Sequence, residues 1–113
     1  METTNSKIQT SEGKTTAIIA YITIFGLIIA FIMNNDKNNP FAKYHIKQSL
    51  GLILVAFALG AVGLVPILGW IINLVGIFVL TYMWIMGLIN AINEKQKPVP
   101  ILGEKFEEWF KNI

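Results

Sequence analysis

The sequence predicts an all-α membrane protein: three transmembrane helices in a left-handed bundle, followed by a C-terminal amphipathic interfacial helix. Three observations carry that reading. Apolar residues make up 54% of the 113 positions and charged residues 14%, and a soluble fold of this size leaves too much surface exposed to hide so much apolar area. The charges are segregated, with none in residues 15–33 and none in residues 48–93. A helix needs roughly 20 residues to cross the hydrocarbon core, so the first run suits one crossing and the second suits two. Within the second run the one proline, Pro66, is surrounded by Gly60, Gly63 and Gly69, which places one turn there.

Residues 1–14 are polar, lack an apolar period, and read as a mobile tail ahead of a single membrane domain over 15–113. Lys7 and Lys14 before an apolar run also suit a signal peptide, but AFIMNND after the run has no small-residue cleavage site, so a retained span over 15–33 is expected. NNDKNN at 34–39 is a turn by composition. Asn39 is a good helix cap, and Pro40 at the first helical position lacks an N–H that would go unpaired anyway. The mixed stretch 40–47 is expected to begin in the headgroup layer and lead into a second span over 47–65. Pro66 disfavours helix at Val65, and Trp70 suits the membrane–water boundary at the start of a third span over 70–93. Pro98 and Pro100 then keep the chain extended. Leu102, Phe106, Trp109, Phe110 and Ile113 recur at helical spacing opposite Glu104, Lys105, Glu107, Glu108 and Lys111, predicting a helix over 103–113 lying on the membrane surface. A cap packed under the bundle is the alternative for that segment.

VPILG occurs twice, at 65–69 and 99–103, between flanks that otherwise do not match. One turn solution used at two places explains this better than duplication. Each span also carries small or polar residues at alternating four- and three-residue steps, as a left-handed seam requires. The stripes are Thr16, Ala20, Thr23, Leu27 and Ala30; then Ser49, Ile53, Ala56, Gly60 and Gly63; then Gly69, Asn73, Gly76, Leu80, Met83, Gly87 and Asn90. Lys7 and Lys14 against seven lysines on the other side predict an outside N-terminus and a cytoplasmic C-terminus in the bacterial inner membrane.

Little in the chain points to catalysis. Cysteine is absent, which excludes thiol chemistry and zinc–thiolate sites, and no phosphate loop, HExxH or GxSxG is present. A net charge of +2 is too mild to argue for nucleic acid. His45, the sole histidine, stands beside Lys43, Tyr44 and Lys47, where it could hold a lipid phosphate or serve as an interfacial residue with a wet edge. Asn73 and Asn90 fit interhelical hydrogen bonds, and the three glutamates near the C-terminus fit a solvated face. No metal, cofactor or enzymatic activity is expected.

Two segments, PFAKYHIKQ before the second span and KPVPILGE after the third, resemble motifs of a family of small bacterial membrane proteins of unknown function. That family is grouped with the plastid inner-envelope protein-import component of the TIC translocon. The motif positions here are Pro40, Phe41, Tyr44, His45, Lys47, Gln48 and Ser49, with Pro98, Pro100, Gly103 and Glu104. The resemblance implies a non-enzymatic accessory or oligomeric component of a transport or protein-translocation assembly, with membrane lipid and a membrane-protein or identical partner. A self-associating small channel or carrier is the alternative. The two segments are expected to dock, with the Glu104 carboxylate accepting from Lys47, His45 or Gln48.

Overall fold

A computed structural model describes the backbone of residues 2–112 and the side chains of residues 8–112. The elements are α1 (Glu2–Ile22), α2 (Ile24–Lys37), α3 (Pro40–Val62), α4 (Leu68–Ile92) and α5 (Gly103–Trp109), with no strand among the described residues. The molecule is elongated, 56 × 23 × 23 Å.

The first expected span is not one helix. The chain breaks at Thr23, whose backbone is extended at φ −157° and ψ 178°, and α2 doubles back along α1. Two contacts fix the reversal. A Cβ on Gly26 would stand 2.3 Å from the Ile19 carbonyl oxygen, although seven residues of continuous helix would separate them by roughly 10 Å. Two residues beyond α2, the Asn39 side-chain amide donates to the Gln9 carbonyl at 2.6 Å. The Thr23 hydroxyl accepts from the Gly26 N–H at 3.1 Å, capping α2. Glycine at 26 lets the two backbones touch. Residues 2–14, expected as an irregular tail, are the first turns of α1. The termini of this hairpin therefore lie at the same end of the molecule, and the expected three-span bundle becomes a helical hairpin packed against the α3–α4 pair.

α3 and α4 are the two helices long and apolar enough to cross a membrane. Asn39 caps α3 by accepting from the Ala42 N–H at 3.0 Å, with Pro40 at the first position. α3 ends at Val62 and α4 begins at Leu68, so the connecting turn starts earlier than the proline alone suggests.

Both VPILG copies form one turn. In the first, Leu68 N–H donates to the Pro66 carbonyl at 2.7 Å and Gly69 N–H to the Val65 carbonyl at 3.0 Å. In the second, Leu102 donates to Pro100 at 2.8 Å and Gly103 to Val99 at 3.1 Å. The isoleucine between them has positive φ in each, 65° at Ile67 and 73° at Ile101. This is the rare positive-φ γ-turn, and in both places a helix starts at once behind it.

Buried apolar side chains concentrate at the end where Gln9, Asn39 and α5 lie. Tyr21, Phe41, Leu52, Met83, Val99 and Phe106 form one cluster, and Ala20, Leu27, Ala30 and Ile46 a second. Toward the 63–67 turn the pair α3–α4 stands alone, with Phe57, Leu64, Ile67, Trp70 and Phe78 exposed. A helix pair apolar on all sides is suited to lipid.

The C-terminal helix is shorter than expected and does not lie free. It ends at Trp109, and Phe106 is buried against α3, where a Cβ on Gly51 would fall 2.2 Å from the ring. Of the expected packing stripes, Gly76 meets Leu59 and Gly87 meets Tyr21 and Val99, but Gly60 faces open space and Ala56 is exposed. Ala56 and Gly60 of the α3 stripe are left bare because the α1–α2 hairpin stops halfway along α3, while Ile53 still packs and Gly63 meets Asn73 of α4.

Gly51→Ala is therefore expected to lower thermal stability in detergent by about 1–3 kcal/mol through overpacking on Phe106. Gly60→Ala should be neutral or stabilising by up to about 1 kcal/mol, as an open helical site allows. Equal effects from the two would contradict this packing.

Candidate functional site

The α3 residues Phe41, His45, Gln48, Ser49 and Leu52 are all buried, and their helical spacing aims them at α1, α4 and the C-terminal segment. His45 is fully buried and uses both ring nitrogens: Nδ1 lies 2.7 Å from the Tyr21 hydroxyl and Nε2 lies 2.9 Å from the Lys95 carbonyl oxygen. A carbonyl only accepts, so Nε2 carries the proton, and in the neutral ring Nδ1 accepts from Tyr21. Phe41 and Tyr44 pack edge-on to the imidazole at 4.8 and 5.4 Å. The wet-edge reading of His45 is thus replaced by a buried, fully used ring.

Gln48 reads the C-terminal turn as a backbone would. Its Nε2 donates to the Gly103 carbonyl at 3.0 Å, and its Oε1 accepts from the Val99 N–H at 2.9 Å. Gly103 is required at this contact because a Cβ there would fall 2.8 Å from Oε1 and 2.5 Å from Pro98. PFAKYHIKQ and KPVPILGE are therefore in contact, through backbone groups. The expected carboxylate contact is not how they meet: Glu104 is exposed and none of these hydrogen bonds involves it. Pro98 and Pro100 are half-buried and shape the approach, while Pro40 is exposed and Lys47 half-buried on another face of α3.

A second group of contacts satisfies the break at Thr23. Ser49 donates to the Ala20 carbonyl at 2.5 Å and the Trp84 indole to the Tyr21 carbonyl at 2.6 Å. These oxygens lost their helical partners when α1 ended. Nearby, Asn90 donates to the Lys97 carbonyl at 3.4 Å. Asn73 stands near Gly63 with its side-chain oxygen buried and unbonded within the described residues. The sequence reading missed Tyr21, Trp84 and Asn34. Asn34 brackets the Asn39 backbone, donating at 3.1 Å and accepting at 2.9 Å. A lone tyrosine in an uncharged run was the one available signal for Tyr21.

The site is thus a latch of neutral groups that satisfy one another, apart from the Tyr44 hydroxyl, which is buried without a hydrogen bond among the described residues. It ties the end of α1, the start of α3 and the segment after α4 into one body. Residues 12–104 match the MamF/MmsF family, described as the magnetosome magnetite crystal formation protein family. The chain belongs to that family. A curated relative, a UPF0132 membrane protein of Methanocaldococcus jannaschii, is 28% identical over 94 residues, covering 80% of this chain and 63% of the relative. The chain thus spans less than two thirds of that relative's length. No solved structure matches the chain. These matches overturn the resemblance drawn to the plastid TIC component: the PFAKYHIKQ and KPVPILGE segments lie in a magnetosome-family match, and nothing ties the chain to protein import. What stands is membership of a membrane-protein family.

Gln48→Leu should leave the Val99 N–H and the Gly103 carbonyl unpaired in a buried site, a loss of about 1–3 kcal/mol for an orphaned group. Hydrogen exchange should quicken at the Val99 amide. Gly60 and its neighbours on the bare half of α3 should exchange as in the wild type. Unchanged exchange at Val99 would show that the latch is not held by Gln48.

Proposed function

We propose that this family member is a non-enzymatic membrane component that crosses the bilayer with α3 and α4 and enters it from one side with the α1–α2 hairpin. The carrying observation is the gathering of charge. All nine lysines and all seven acids fall in residues 2–14, 36–47 and 94–111. Hydrogen bonds join these segments at one end of the molecule: Gln9 with Asn39, His45 with Lys95, and Gln48 with Val99 and Gly103. The turn at 63–67 carries no charge. Residues 15–22 and 24–33 rise about 12 and 15 Å as helices, close to half of a roughly 30 Å hydrocarbon core. Each arm is too short to cross, and their reversal at Thr23 suits a re-entrant hairpin.

Lysines on one side only favour a cytoplasmic charged end. Both termini then face the cytoplasm, and the opposite-sided arrangement expected from sequence is withdrawn. The role we assign is that of an accessory part of a larger membrane assembly, presenting its charged end to other components. The family description concerns magnetite crystals. Among the described residues, however, no three His, Asp or Glu side chains come together as metal ligands, and the reading uses no iron chemistry.

Single cysteines at Glu12 and Asn112, in this otherwise cysteine-free chain, are expected to resist an impermeant thiol reagent on intact cells and to react in inverted vesicles. Labelling of position 12 but not 112 on intact cells would refute the hairpin. Purified protein in liposomes should leave ion and solute leakage at the lipid-only level. Flux from the protein alone would replace the accessory role with a channel or carrier.

A further inference from the structure

We propose that Lys43 and Lys47, with the side-chain amides of Asn35 and Asn38, form a binding site for the phosphate of an anionic membrane phospholipid. A cavity of about 100 Å³ lies between the last turns of α2 and the first turns of α3, lined by these four residues together with Phe31, Asn34 and Ile46. Lys43 and Lys47 are one helical turn apart, where like charges repel. The lining of this cavity holds no carboxylate, although on its other side Lys47 borders a second pocket shared with Glu107. An anion between the two ammonium groups turns that repulsion into attraction.

The donor set suits phosphate. Ammonium and primary-amide N–H groups donate, and the unesterified oxygens of a phosphodiester accept. Asn34 is committed to the Asn39 backbone and holds the α2–α3 corner, while Asn35 and Asn38 are exposed. The negative end of the α2 dipole points this way and opposes an anion, so the attraction rests on the two ammonium groups. His45, the first candidate for a phosphate from sequence, is turned away into the latch.

The lining also argues for a lipid source. Phe31 and Ile46 give the cavity an apolar wall, and Phe31 is 53% exposed on the face that continues down α2. A phosphate held at the lysines would lay its acyl chain along that face. Lys43 stands about 9 Å along α3 from Ser49, which bonds backbone at the hairpin tip, and Lys47 about 3 Å, so Lys47 reaches the headgroup layer by extending its stem toward the start of the helix. This placement at the headgroup layer rests on the one-sided membrane reading above, which the thiol labels test independently.

The test uses the full chain in a neutral detergent, titrated with phosphatidylglycerol, phosphatidylcholine or inorganic phosphate, reading thermal midpoint and lipid retained in native mass spectrometry. Phosphatidylglycerol is expected to raise the wild-type midpoint, and phosphatidylcholine to do less. The K43Q/K47Q double variant should lose about thirtyfold in apparent affinity, from the known attraction of surface lysines to anionic lipid. K105Q/K111Q, with the same charge loss at exposed positions elsewhere at the charged end, should bind as the wild type. Equal losses in both pairs would overturn the site in favour of diffuse charge. Inorganic phosphate that reproduces the full stabilisation would overturn the lipid assignment and leave a free-phosphate site. Should K43Q/K47Q lack a cooperative melt, Lys43→Gln alone, at an exposed position, gives the reading: affinity equal to the wild type overturns the proposal.

Discussion

A helix that ends inside an apolar layer exposes carbonyl oxygens that neither water nor lipid can satisfy, at several kcal/mol each. On the proposed membrane placement the break at Thr23 creates that situation, and much of the molecule is arranged around it. Ser49 from α3 and Trp84 from α4 reach the Ala20 and Tyr21 carbonyls, so both long helices must stand beside the end of α1. Tyr21 is held at two points, by its carbonyl to α4 and by its hydroxyl to His45 on α3. Gly87 leaves the room that its ring occupies. The hairpin, the helix pair and their relative depth are thus fixed by a few polar contacts.

With the hairpin so fixed, the charged end follows. Gln9 and Asn39 meet because α2 returns the chain to the level at which α1 entered. α3 then starts where the hairpin closes, and α4 brings Lys95 back to His45. Gln48 closes the C-terminal turn onto the same body, and Phe106 fills the gap over Gly51. Hydrogen bonds shielded from water are stronger than exposed ones, and each buried partner left alone is costly. A cluster in which His45, Gln48 and Ser49 all have partners is accordingly suited to holding one arrangement.

The sequence shows the α3 and α4 pair clearly, because lipid demands long uncharged runs and those are visible without tertiary information. The Asn39–Pro40 start was equally legible, being local chemistry. The hairpin was not. Residues 15–33 carry no charge and hold no proline, and Gly26 is the sort of residue that spanning helices tolerate. What ends α1 is partly remote: Ser49 and Trp84 make the break tolerable from positions 29 and 63 residues away. On the proposed topology the expected orientation changes with it, since an odd number of crossings separates the termini and an even number does not. In the site, the docking of the two motifs was visible as a surplus of specific residues. The mode was not, because a side-chain amide pairing with backbone leaves no complementary charge to notice. Family identity failed for a different reason: short segments can resemble more than one group of membrane proteins.

The two VPILG turns show how one local solution serves two environments. Both place an isoleucine at positive φ, which costs a β-branched residue of order 1–3 kcal/mol, and both keep the same two backbone bonds. Strain of that size persists only where surroundings enforce it. At the 63–67 turn, on the proposed membrane placement, the enforcement is the surrounding lipid. Ile67 is exposed at the apolar tip, and the internal bonds satisfy groups that lipid would leave bare, so any looser turn would cost more. At the charged end water could satisfy a looser turn, yet the geometry is the same. There the enforcement is Gln48, which bonds the first and last residues of the motif, Val99 and Gly103, across the turn. The outer Gly69 is pressed against the Val62 carbonyl of the preceding helix, and Gly103 against Gln48 and Pro98. In each copy the glycine is the residue that the neighbouring element must approach, and the proline two positions before the leucine supplies the carbonyl that fixes the turn.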